Sequence, residues 1–96
     1  MLLSDLQQKK QQIQKLAEAF GVRRIRVFGS VARGEETAHS DIDFLVDFPR
    51  GYSLFKQRLP LMGQLNHLLG RTVDVVPEHE LSPHIKERVL TEAVDL

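Results

Sequence analysis

Two spacings of apolar residues divide the chain. Leu6, Ile13, Leu16, Ala17 and Phe20 fall on one helical stripe, with Ser4 placed to cap its start and Gly21 to stop it, which predicts an amphipathic first helix of about four turns. Period 2 follows: Ile25 and Val27 alternate with Arg24, Arg26 and Phe28 as a first strand running into Gly29 and Ser30. Glu35 to Ser40 has no helical period and reads as a polar loop. Alternation resumes with Ile42, Phe44, Val46 and Phe48 on one face of a second strand, ended by the Pro49-Arg50-Gly51 turn.

Ser53 is placed to cap a helix carrying Leu54, Phe55, Leu59, Met62, Leu65, Leu68 and Leu69 as its core stripe up to Gly70. Pro60 lies inside that stripe, so a kink or break is expected between Gln57 and Pro60. Val73 and Val75 form the inward face of a third strand, with Thr72, Asp74 and Val76 on the other face and Pro77 at its end. Ser82 and Pro83 read as the cap and first residue of a last helix with Ile85, Val89, Ala93 and Val94 as its stripe. Helix, strand, helix, strand, helix, strand, helix is an α/β order, with helices packed on a small sheet whose strand directions the pattern does not decide.

The stretch from Phe28 to Phe48 carries the chemistry. Gly29 lets the backbone turn sharply and approach a bulky anion, and Ser30 opens a short helix whose free N–H groups suit a phosphate. Asp41 and Asp43 share one face of the second strand, roughly 7 Å apart at the backbone. Carboxylates that close repel and raise one another's pKa unless something neutralises them. A hard divalent cation held by oxygens does so, and Mg2+ commonly takes nucleotide phosphates as its remaining ligands.

Composition narrows the setting. Ninety-six residues suit one domain, 1–96, and the 42% hydrophobic, 27% charged content is that of an ordinary globular chain without an apolar run of membrane length. Ser4, Asp5 and a run of Gln and Lys stand where a signal peptide needs an apolar core, and there is no cysteine, so a cytoplasmic protein is expected. Thirteen basic residues balance 13 acidic ones, which speaks against a general nucleic-acid binder. Arg23, Arg24, Arg26 and Arg33 nevertheless cluster beside the proposed phosphate turn, and Arg33, inside the motif, is the one expected to meet a phosphate.

Gly29-Ser30, ten residues, then Asp41-x-Asp43 and a hydrophobic strand resembles the signature of the DNA polymerase beta-type nucleotidyltransferase superfamily. The fuller string, with Phe28 to Gly34 and Ser40 to Phe48, is similar to its minimal nucleotidyltransferase branch, the antitoxin partners of HEPN-domain toxins. Arg71 to Val76 fits the family's third-carboxylate strand and Glu92-Ala93-Val94 its closing helix. The resemblance implies a mixed sheet of about three to four strands with about four helices, and the strand of Asp74 beside that of Asp41 and Asp43. It implies transfer of AMP from ATP to a hydroxyl, a tyrosine on a HEPN ribonuclease toxin, with two Mg2+ ions held by Asp41, Asp43 and Asp74. Asp74 would help activate the acceptor, and Gly29, Ser30, Arg33 and Ser40 would hold the nucleotide. Two other readings stand beside it: an antitoxin that neutralises its partner by binding alone, and a transferase acting on a small molecule such as an aminoglycoside.

Other charged positions carry less. Glu78-x-Glu80 repeats the carboxylate spacing where a loop is expected, and Asp47 lies about 13 Å along the strand from Asp43, too far for a shared ion. His39, His67, His79 and His84 have no ligand spacing, although His39 adjoins the site; Ser40 is also placed to bond the loop backbone before Asp41.

Overall fold

The computed structural model describes residues 2–96. Its elements are α1 (Leu2–Gln8), α2 (Lys10–Ala19), β1 (Ile25–Phe28), α3 (Ser30–Arg33), β2 (Ile42–Val46), a π-type turn (Leu54–Arg58), α4 (Leu59–Leu69), β3 (Val73–Pro77), a 3-10 turn (Glu78–Glu80), α5 (Pro83–Glu92) and β4 (Val94–Asp95). The sheet is mixed, in the order β3-β2-β1-β4, with β2 and β3 parallel and both pairings of β1 antiparallel.

The first helix departs from its expected form at both ends of its polar stretch. Ser4 lies inside α1 rather than capping it, and the helix loosens at Lys9, whose N–H is shared between Leu6 and Asp5 carbonyls at 3.0 and 3.3 Å. All six residues between Leu6 and Ile13 are exposed, so no packing holds the axis through that turn. The stop at Gly21 is as expected: with φ 84 it donates to the Glu18 carbonyl while Val22 reaches back to Ala17, closing the helix and burying Val22 against the core.

Ser53 caps its segment by accepting from the Lys56 N–H at 3.1 Å. Pro60 cannot donate a helical bond, and the preceding residues widen into the π-type turn, where Arg58 and Leu59 reach back five residues to Ser53 and Leu54. That widening turns the stripe outward. Phe55 is 77% exposed, and Leu54 and Leu59 are also exposed, so these three are surface, not core; Leu65 is buried as expected, and Leu61, outside the expected stripe, is buried with it.

Ser82 caps α5 as expected, its hydroxyl accepting from the His84 N–H. The helix ends at Glu92, two residues before the end of its apolar stripe, and Val94 pairs instead with Val27 as a fourth strand. The edge of β1 would otherwise present bare N–H and C=O groups, and β4 satisfies them. Arg24 grips β4 through Asp95 with two bonds of 2.8 Å.

Ile25, Val27, Ile42, Phe44, Val46, Val73 and Val75 are buried on one sheet face with Leu6, Ile13, Ala17, Leu61 and Leu65 from the covering helices. The opposite face lies under α5, where Leu45 and Val89 are buried. Among the described residues, no helix is long and apolar enough to cross a membrane.

Candidate active site

Strand register assembles the site. Phe28 pairs with Asp43, and Asp43 pairs with Asp74 across the parallel β2–β3 ladder, so two carboxylates stand abreast at one end of the sheet, one strand spacing of roughly 4.8 Å apart. Gly29 continues β1 past Phe28 with φ 76 and ψ −153 and introduces the single turn of α3, with Ser30 as its first residue. A Cβ at position 29 would collide with the Asp43 carboxylate, so the glycine and the aspartate need each other's dimensions. Asp41 sits two residues ahead of Asp43, exposed, just before β2 begins.

Electrostatics mark Asp43 as the centre. Its pKa is raised above the usual carboxylate value, first by burial, then by the charges of Asp74 and Asp41. Among the described residues, no three His, Cys, Asp or Glu side chains form a closed set able to hold a metal ion unaided. The donor chemistry still suits a hard cation, since mutually repelling carboxylate oxygens at an open strand end leave room for phosphate and water ligands.

The loop before Asp41 is tied down by its own side chains. Ser40 Oγ accepts from the Thr37 N–H at 2.9 Å, which is the backbone-orienting bond expected of it. Arg71 donates to the Thr37 and Ser40 carbonyls at 3.0 and 2.9 Å, fastening the loop to the start of β3. His39 is exposed and lines, with Ser40, Asp41, Arg71 and Thr72, an open groove of about 710 Å³; of the three aspartates only Asp41 lines it.

The arginine cluster is not a phosphate clamp as a whole. Arg24 pairs with Asp95, Arg26 with Glu78 at 2.6 Å, and Arg33 with Glu92 at 2.9 Å and Glu35 at 3.3 Å. Only Arg33 remains next to the turn. Sequence reading missed two residues that build the site, Arg71 and Glu92. Glu92 accepts from the Gly29 N–H at 2.6 Å as well as from Arg33, across 63 residues of chain, a separation over which no local spacing carries a signal.

Comparison with known proteins shows the family and the fold. Residues 9–96 match the nucleotidyltransferase domain family. The protein adenylyltransferase MntA of Thermococcus cleftensis is 48% identical over 80 residues, which span 83% of this chain and 80% of that protein. A solved structure described as a candidate minimal nucleotidyltransferase superposes with a TM-score of 0.85 at 42% identity, over 98% of this chain and 95% of the other. A toxin-antitoxin crystal structure with AMP-PNP has a TM-score of 0.75 at 26% identity, over 88% of this chain and 69% of the other. The chain therefore belongs to the nucleotidyltransferase family, in its minimal branch alongside the protein adenylyltransferases.

Proposed function

We propose that this chain is the antitoxin of a toxin-antitoxin pair and transfers AMP from ATP to a tyrosine hydroxyl of a HEPN ribonuclease toxin in the cytoplasm. The observation that carries the reading is Gly29, Asp43 and Asp74 abreast at one sheet end, with Asp43 held above its ordinary pKa by burial and then by the charges of Asp74 and Asp41. A protein adenylyltransferase as relative and a toxin-antitoxin neighbour with AMP-PNP support the same direction.

Asp41, Asp43 and Asp74 would hold Mg2+, with the triphosphate and water completing the shell. When bound, Mg2+ supplies charge neutralisation and Lewis acidity for an in-line displacement. The Gly29-Ser30 turn holds the triphosphate through the backbone N–H groups that Glu92 leaves free, with Arg33 alongside. Asp74, on its own strand, takes the proton of the incoming hydroxyl. The hydroxyl oxygen then bonds to the α-phosphorus as the bond to pyrophosphate breaks.

The test mixes the chain with MgATP and its toxin and weighs the toxin by mass spectrometry. Increments of one AMP on a tyrosine are expected. A stable complex without any AMP would instead establish an antitoxin that works by binding. Transfer to an aminoglycoside but not to the toxin would establish the small-molecule enzyme.

A further inference from the structure

Glu92 is the last residue of α5, and its side chain is 13% exposed. One oxygen, Oε2, accepts both from the Gly29 N–H at 2.6 Å and from Arg33 Nη1 at 2.9 Å. A carboxylate so nearly removed from water is costly unless paired and hydrogen-bonded. Both of its partners belong to the glycine turn and the helical turn it opens. The arrangement satisfies Glu92 only while Gly29 keeps its positive φ and Arg33 folds back over the turn.

The guanidinium is held at two points. Nη1 goes to Glu92, and Nε faces Glu35 at 3.3 Å. Among the described residues, Nη2 makes no hydrogen bond, and it is the edge left for an anion. An arginine whose plane is fixed before a phosphate arrives loses less rotamer freedom on binding than a free one.

We propose that Glu92 is a positioning residue for the nucleotide: from the end of α5 it fixes the Gly29 amide and the plane of Arg33, so that the triphosphate meets a prearranged turn. The role rests on the AMP-transfer reading above and deepens it. Glu92 acts through Arg33 and the turn, so it governs ATP binding more than the proton transfer at the acceptor.

The experiment measures MgATP affinity by calorimetry, single-turnover AMP transfer at saturating ATP, and the melting temperature. The proteins are the wild type, Glu92→Gln, Glu92→Ala, Arg33→Ala and the double variant. Glu92→Ala is expected to weaken MgATP roughly 10- to 100-fold, the range for removing a charged hydrogen-bond partner, with the saturated rate changed less than about threefold. Glu92→Gln keeps an oxygen for the Gly29 N–H without the charge for Arg33 and falls between, about 3- to 10-fold weaker. The double variant is expected to bind no more than about twofold worse than the weaker single variant, because the two residues act as a unit. Full additivity, or a lowered melting temperature with wild-type affinity, overturns the proposal and leaves Glu92 a structural latch. If Glu92→Ala does not fold, Glu92→Gln decides: wild-type affinity overturns the proposal. A wild type that neither binds MgATP nor transfers AMP overturns both readings, whereas an active wild type matched by every Glu92 variant overturns only this one.

Discussion

The two faces of the sheet are made by alternate residues of the same strands, and they have opposite characters. Towards α1, α2 and α4, β2 presents Ile42, Phe44 and Val46, all buried. Towards α5 it presents Asp43 and Leu45, and β3 presents Asp74 and Val76. Three helices seal the first face. A single helix with Val89 as its buried residue covers the second, so Leu45 is dry while Asp43 and Asp74, at the strand ends, keep part of their surface in water. Stability and chemistry are thus separated by one residue along the chain, since a strand turns successive side chains to opposite sides.

The sharpest way to break this division is to change two neighbours. If Asp43 holds Mg2+ as proposed, Asp43→Asn is expected to slow AMP transfer by roughly a thousandfold or more, with the fold intact. Phe44→Ala should cost about 3–5 kcal/mol in denaturant melts, a large part of a small domain's stability. Unfolding by the first, or an unmoved midpoint in the second, would show that the faces are not divided as described.

Within the charged face, Asp74 differs from Asp43 in coming from another strand. Asp74→Asn is expected to retain most MgATP affinity while slowing transfer by roughly a hundredfold, the scale of lost base catalysis. Calorimetry and mass-detected transfer on the same preparations check it. A wild-type rate would leave Asp74 a surface aspartate.

The smallest effect sets function against stability directly. Asp43 has its folded pKa raised, so the native state binds its proton more tightly than the unfolded chain. Stability is then fullest below the unfolded carboxylate pKa and declines as pH rises through the folded one. Asp43→Asn removes that decline. At neutral pH without metal, it should melt above wild type, by a smaller margin than the other effects. The gain should vanish on acidification below the usual carboxylate pKa, where both proteins are neutral at this position. A gain that persists in acid would mean that charge is not its cause.

The site's outline was legible because its parts are local. A glycine turn, the start of a short helix and two carboxylates two apart on an alternating strand depend on neighbours a few residues away, and Ser53 and Ser82 open and Gly21 closes their helices for the same reason. The pairing of Asp43 with Asp74 was carried by family resemblance and not by any pattern in these residues.

The sequence by itself determined the α/β order, which face of each strand is apolar, and where the carboxylates and the glycine turn stand along the chain. Steric preference, capping and side-chain alternation act within a turn or a strand, so these are written in short windows of residues. Tertiary structure alone decided the rest. It drew Val94 into the sheet edge. It matched Arg24, Arg26 and Arg33 to Asp95, Glu78 and Glu92, and placed that last carboxylate against Gly29. Each outcome is a choice among partners tens of residues apart, settled by which packing satisfies the most backbone groups and buries the most apolar surface at once.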